Sequence, residues 1–290
     1  MSPSRTIAFA TCTKFPDSPE DDQLALRSLR DLGLEAVPAV WDSPSVDWSR
    51  FDLVVLRSTW DYFTKPSEFR EWVDRVGRVS RLLNSPAMVH WNSHKRYLVE
   101  LAERGTRVPP TVLVEPADRR ALAEIAHENG WARVVVKPAI GGNAYRLRVF
   151  DSGEFEEGTS ALRELQRSGT ALVQPFLTGA GRRGERSLVY FDGQFSHAVE
   201  YANVLNQPNR SPRPVEVPVV ERVSAERILG ELPEVPLYAR FDYLPDENTG
   251  WFLGELELIE PELFLRSGPH LADRFASAIL SRLSGAVRGK

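Results

Sequence analysis

Val134-Val135-Val136-Lys137-Pro138-Ala139-Ile140-Gly141-Gly142-Asn143 carries the first decision about the fold. Three β-branched residues favour a strand. The strand ends in a lysine, and two glycines follow in a turn whose backbone can approach a phosphate closely with its amides pointing at it. The Gly-Lys-Ser/Thr order of a Walker loop is absent. Taken alone, the stretch suits a structural turn equally well.

Working outward toward the C-terminus, Arg240-Phe241-Asp242 and Gly254-Glu255-Leu256-Glu257-Leu258-Ile259-Glu260-Pro261-Glu262 supply the second part. Residues two apart on a strand share a face, so Glu255 and Glu257 point one way while Leu256 and Leu258 enter the core. Adjacent carboxylates repel unless a cation neutralises them or one stays protonated. Magnesium suits hard oxygen ligands shared with substrate phosphates. A solvated amphipathic strand is the plain alternative, and an antiparallel neighbour bringing Asp242 alongside would weigh against it.

The chain has 290 residues and is 42% apolar, enough for about two domains with a real core, which excludes disordered and fibrous classes. No apolar run reaches the roughly 20 residues that span a bilayer. The opening Met1 to Cys12 reads as a strand rather than a secretory signal. A single cysteine, Cys12, favours the cytoplasm. A net charge of −4 argues against nonspecific binding to a polyanion, so nucleic acid is not an expected partner. Only five basic residues are lysine: Lys14, Lys65, Lys95, Lys137 and Lys290. In so arginine-rich a chain, a lysine inside an ordered element marks a place that needs a compact ammonium. Lys95 and Lys137 are such residues.

The first ninety residues alternate strand and helix patterns: strands over 6–10, 35–40 and 52–56, helices over 20–32 and 66–76. A helix over 92–103, a strand over 112–114, a helix over 116–128 and a strand over 133–138 follow. From residue 172 strands dominate (187–191, 195–200, 237–243 and 251–259) until a last helix over 269–283. Residues 206–218, rich in Pro, Asn and Arg, read as a mobile loop.

In order, these motifs resemble the ATP-grasp superfamily as seen in glutathione synthetase and the ribosomal-protein glutamate ligase. The matching pieces are an N-terminal α/β domain, Asn92-Ser93-His94-Lys95, Val108-Pro109-Pro110-Thr111, Lys137-Pro138 with its glycine turn, Val173-Gln174-Pro175-Phe176-Leu177, Gly184-Glu185-Arg186-Ser187 and the acidic strand. The resemblance implies an α/β (α+β) ATP-grasp fold. An N-terminal domain would occupy 1–90, a central subdomain 91–172, and a C-terminal subdomain with the metal site 173–290. It implies ATP and magnesium as cofactors, two metal ions, and manganese as an acceptable substitute. Lys95 and Lys137 resemble the lysines that hold the α- and β-phosphates, Gly141 and Gly142 the flap over the triphosphate, Gln174, Pro175, Phe176 and Leu177 the adenine-side hinge, and Glu185 the acid near the ribose or adenine. Asp242, Glu255 and Glu257 resemble the metal ligands, although asparagine is common where Glu257 stands.

The implied chemistry is activation of a carboxylate by ATP as an acyl phosphate, followed by attack of an amine. Arg240, with a guanidinium suited to a phosphoryl group, and Lys137 are the catalytic candidates. Arg57, Thr59, Trp60, Asp61 and Tyr62 follow a strand and combine both charges with aromatics. With Ser187, His197 and Glu260 they are the candidates for a small amino-acid-like substrate. Packing of Trp60 and a structural hydrogen bond of His197 are the competing readings. The pattern of Ser58 to Tyr62, Trp91 to Leu98, Gly184 to Val199 and Glu255 to Pro261 further resembles the subgroup of the D-cycloserine-forming O-ureido-serine cyclo-ligase. The expected partner is a small molecule, with no membrane and with a homodimer left open. Addition of an amino acid to a peptide or protein tail, and an inactive nucleotide-binding regulator, are the alternatives.

Overall fold

The computed structural model describes residues 5–179, 184–201, 212–247 and 250–285. Three sheets account for its strands. The first is parallel, in the order β2-β1-β3-β4, and is built from β1 (Thr6–Thr11), β2 (Glu35–Val40), β3 (Leu53–Ser58) and β4 (Arg81–Leu83). Parallel strands are covered on both faces, which is why β1 and β3 read as nearly unbroken apolar runs. Helix α1 (Glu20–Asp31) ends at Gly33, whose φ of +79° supplies the left-handed residue that closes a helix. Helix α2 (Pro66–Val79) starts with proline in its first turn, where no amide partner is lost.

The second sheet is antiparallel, ordered β5-β8-β6-β7, with β5 (Val112–Val114), β6 (Arg133–Pro138), β7 (Arg148–Asp151) and β8 (Ala171–Pro175). The third, ordered β11-β10-β9-β12-β13, contains β9 (Glu185–Phe191), β10 (Gln194–Tyr201), β11 (Arg213–Val215), β12 (Tyr238–Asp246) and β13 (Gly250–Glu257). The closing helix Leu271–Gly285 joins the first and third sheets: Phe275, Ala276 and Ile279 pack in one buried cluster with Ile7, Leu26, Val189 and Tyr238.

Three readings from sequence change. The single helix over 92–103 is two helices, α3 (Pro86–Ser93) and α4 (Tyr97–Glu103), with Lys95 in the break. The Lys95 amide leaves the helical pattern to donate to Ala139 O at 2.8 Å. Residues 116–121 are not helical. Asp118 folds them into a turn by accepting from the Arg120 amide (2.9 Å) and guanidinium, and the helix α5 (Leu122–Asn129) begins only where Glu124 accepts from the Ala121 amide. Within the stretch read as a mobile loop, Arg213–Val215 forms an edge strand on β10; residues 206–211 lie outside the described residues.

Candidate active site

Strand register builds the acidic end. β12 and β13 are antiparallel, with Arg240 opposite Glu257 and Asp242 opposite Glu255, while β9 sets Ser187 opposite Asp242. Since alternate residues share a face, Arg240, Asp242, Glu255 and Glu257 form one patch, and Phe241, Leu256 and Leu258 are buried behind it. The patch borders a cavity of about 700 Å³. Lys95, Lys137, Gly141, Gly142, Glu185, Trp60, Tyr62 and Glu260 line the same cavity, so residues from all three sheets meet there.

Neighbouring charges satisfy one another. Arg240 makes a forked contact with Asp242 (Nε to Oδ1 2.9 Å, Nη2 to Oδ2 2.9 Å) and reaches Glu257 Oε1 at 2.5 Å. Ser187 Oγ donates to Asp242 Oδ1 at 2.6 Å. Lys95 Nζ pairs with Glu255 Oε1 at 2.8 Å and donates to Gly141 O. Burial works to raise the Glu255 carboxyl, yet Lys95 and Lys137 outweigh it and hold the group below its ordinary range. Glu257 is pushed well above that range by burial, with Asp242, Glu255 and Glu260 adding to the shift against Arg240. Glu260 is raised to about 8, again chiefly by burial. Lys137 is lowered to about 8 by burial, with Lys95 adding to the shift and Glu255 opposing it. Such opposed shifts in one cleft are the mark of a site assembled for charge handling.

Two asparagines explain why Lys95 arrives here. Asn92 Nδ2 donates to Leu256 O (2.8 Å) and its Oδ1 accepts from the Leu258 amide (2.8 Å), so the end of α3 is stitched to the β13 edge. Asn84 does the same further on, bonding Tyr238 O, Leu258 O and the Leu237 amide. Tyr97 OH accepts from the Leu256 amide at 3.1 Å.

In the glycine turn the left-handed residues are not the glycines themselves. Neither Gly141 nor Gly142 has positive φ; Asn143 (51°), Ala144 (55°) and Arg146 (53°) carry the left-handed turns. The glycines provide clearance instead. A Cβ on Gly142 would lie 3.4 Å from Glu260 Oε1 and 3.5 Å from the Phe63 ring, and one on Gly141 would lie 3.2 Å from Pro138.

Several candidates are engaged elsewhere. Arg57 is 1% exposed, pairs with Asp22 Oδ1 at 2.9 Å and donates to Pro261 O at 2.8 Å, and its cation lies over the Tyr238 ring. It therefore ties the first sheet to the segment after β13 rather than meeting solvent. Thr59 is wholly buried. Asp61 accepts from Trp41 Nε1 at 2.7 Å and is not among the lining residues. His197 Nε2 donates to Leu263 O at 2.9 Å, and burial lowers the ring to about 4, which keeps it neutral. Trp60 does line the cavity, fixed by Nε1 donating to Glu260 O at 2.9 Å and by an edge contact with Phe15. Gln174, Pro175, Phe176 and Leu177 are not in the lining. Gln174 donates to Thr111 Oγ1 at 2.8 Å, and the Phe176 amide donates to Arg133 O at 2.9 Å.

Sequence reasoning missed Tyr145, Glu262, Phe264 and Arg266, all of which line the cavity. Alternation continuing from Glu260 through residue 266 is the signal that would have found the last three. Asp242, Glu255 and Glu257 are oxygen donors of the kind magnesium takes. Their oxygens face Arg240, Ser187 and Lys95, and among the described residues no three acidic, histidine or cysteine side chains form a ready metal cage.

The fold and the cavity define an ATP-grasp enzyme of the carboxylate–amine ligase class. The structure superposes on the crystal structure of D-cycloserine synthetase DcsG with a TM-score of 0.87 and 29% identity, covering 96% of this chain and 99% of that one. It shares the fold of the ATP-grasp ligase PsnB, solved with a phosphomimetic variant of its minimal precursor, Mg and ADP (TM-score 0.65, 16% identity, 96% and 99% covered). Residues 7–84 match the family described as D-cycloserine synthetase DcsG, N-terminal domain. Over 280 residues, 89% of this chain and 92% of its relative, the sequence is 31% identical to the cycloserine biosynthesis protein DcsG of Streptomyces lavendulae. The chain belongs to the DcsG family.

Proposed function

We propose that this ligase activates the carboxylate of a small amino-acid-like molecule with ATP and magnesium, and that the attacking nitrogen lies in the same molecule, as in closure of O-ureido-serine to cycloserine. One observation supports the reading most: a single cavity lined by Lys95, Lys137, the Gly141–Gly142 turn, Arg240, Asp242, Glu255 and Glu257, with Trp60 and Tyr62 walling its other side. Family membership points the same way.

Lys95 and Lys137 hold the α- and β-phosphates, and the amides after Pro138 cover the triphosphate. Glu185, on the same wall, takes the ribose. Asp242, Glu255 and Glu257 are the residues that would hold magnesium, which supplies charge neutralisation on the phosphates. To hold it these carboxylates would have to give up their present bonds to Lys95 and Arg240. A carboxylate oxygen of the substrate attacks the γ-phosphorus and ADP leaves. The oxygen-bound nitrogen then attacks the acyl carbon, phosphate leaves and takes up the nitrogen's proton; in the O-ureido-serine case the ring still carries the carbamoyl group, which water removes as carbon dioxide and ammonia. Arg240 neutralises charge on the transferring phosphoryl group, and protein chemistry beyond positioning is not required. The turn at Gly141–Gly142 shields the acyl phosphate from water.

The test is ADP release with a panel of amino acids and their aminooxy and ureido derivatives, with hydroxylamine added to trap an acyl phosphate as a hydroxamate. Substrate-dependent ADP release with hydroxamate is expected. ADP release that ignores every small substrate but responds to a peptide would replace this reading with ligation to a chain. Two metal ions, manganese as a substitute, a homodimer and a cytoplasmic setting belong to the proposal too; metal titration and sedimentation velocity test the first three.

A further inference from the structure

Beyond its phosphate end the cavity is bounded by the segment that follows β13. Glu260, Glu262, Phe264 and Arg266 line it, while Leu263 and Leu265 are buried on the other side. Glu262, Phe264 and Arg266 have no part in the phosphate chemistry described above. Yet they are firmly built. Asp21, at the start of α1 and 4% exposed, accepts from the amides of Leu265 (2.9 Å) and Arg266 (3.1 Å) and from Arg266 Nη1 (3.0 Å). Arg266 Nη2 in turn pairs with Glu262 Oε1 at 2.6 Å. Glu262 is thus held from behind by an arginine that is itself anchored to another part of the molecule.

Charge and backbone both point to a ligand. Two carboxylates against one guanidinium leave Asp21, Glu262 and Arg266 with one net negative charge beside the cavity, which favours a cation there. Phe264 has φ of +51°, a conformation that bulky residues seldom adopt and that clusters at functional sites. The turn it makes sets its ring against the Arg240 guanidinium, 5.5 Å away, on the cavity wall. Arg240 Nη1 also donates to the Glu262 backbone O at 3.1 Å, so the two residues adjoin on the wall of the cavity that both line.

We propose that Glu262, steered by Arg266, receives the α-ammonium of an α-amino acid whose own carboxylate is activated beside Arg240. The inference rests on the acyl-phosphate reading and adds its selectivity. In an α-amino acid both charged groups sit on one carbon, which matches the adjoining Arg240 and Glu262. A des-amino acid leaves Glu262 paired with Arg266 alone. The last residue of a peptide offers only an uncharged amide nitrogen, so this wall disfavours a chain terminus. Arg266 acts as a positioning residue, through Glu262.

The experiment compares the amino acid giving the fastest ADP release in the panel above with its des-amino analogue; for O-ureido-serine this is 3-(ureidooxy)propanoic acid. Wild-type enzyme should prefer the amine by about 10- to 100-fold in kcat/KM, the range of one charge-assisted hydrogen bond. Glu262→Gln should reduce that preference to about threefold or less through the KM of the amino acid, with the KM for ATP unchanged. Arg266→Met should lose most of the preference and Arg266→Lys should keep much of it, a rescue that a purely structural role would not produce. If Glu262→Gln is folded by circular dichroism and retains the full wild-type preference, the proposal is overturned. If that variant does not fold, Glu262→Asp takes its place, and an unchanged preference there overturns the proposal equally. Wild-type enzyme that turns over no α-amino acid at all would overturn the acyl-phosphate reading instead, a separate outcome.

Discussion

The hairpin of β12 and β13 and the loop that follows β3 both border the cavity, and both carry arginine, carboxylates and aromatics. In the hairpin Arg240, Asp242, Glu255 and Glu257 all face the cavity, because a period of two puts them on one side. At the end of β3 and in the loop after it the charges turn away: Arg57, still on the strand, pairs with Asp22, Asp61 goes to Trp41, and Trp60 and Tyr62 are left on the wall. Similar composition therefore serves charge handling in one place and joinery in the other. What separates them is where the partners sit: the hairpin's four charges share one face, whereas Arg57 and Asp61 each meet a partner on another element.

The comparison breaks most visibly at Arg57. Arg57→Met leaves Asp22 buried and unpaired, so urea denaturation should show a loss of about 3–5 kcal/mol. The protein that remains folded should bind ATP normally. Wild-type stability with lost substrate binding would return Arg57 to the site.

Next in size is Lys137→Ala. It should raise the apparent KM for ATP about 10- to 100-fold, from loss of a contact worth about 1.5–3 kcal/mol. Its melting temperature should hold or rise without ligand, because burial has already pulled the ammonium down to about 8. ATP binding by calorimetry that matches the wild type would remove Lys137 from the phosphate site.

A smaller effect sharpens the electrostatics of the acidic end. Glu260, raised to about 8 from an ordinary 4.5, keeps its proton in the native state where the unfolded chain has released it. The native state binds more protons between those values, so its stability is highest at low pH and falls as pH rises toward 8. Melting of the metal-free protein between pH 5 and 8 should show that decline, and Glu260→Gln should flatten it. An identical slope in the variant would mean that other groups set the profile.

Asp61→Asn should change least. Asparagine still offers Trp41 an acceptor, and the residue lies off the cavity wall, so the KM values for ATP and amino acid should stay within about twofold. A tenfold rise for the amino acid alone would place the loop's charge back in recognition and dissolve the contrast.

Legibility in the sequence followed the same division. The runs 134–142 and 254–260 could be read because strand period and glycine constrain direction, and the facing of Asp242 followed from antiparallel pairing. Lys95 was found as a residue but placed in a helix. The break around it depends on Ala139 O and on the β13 edge, partners distant in the chain that no local pattern records. Arg57 and Asp61 read as candidates for an amino-acid-like substrate because composition cannot show Asp22 and Trp41 waiting on other elements. Glu262 and Arg266 went unnoticed because their anchor, Asp21, lies at the opposite end of the sequence.

The stitching of Asn92 to Leu256 and Leu258 has a mechanical consequence. With Tyr97 also bonded to that strand, Lys95 travels with the acidic hairpin, whereas Lys137 travels with β6. A nucleotide held by both lysines, as proposed, would be gripped from two sides, one ammonium on each, and a backbone bond from the Lys95 amide to Ala139 O ties those two sides together.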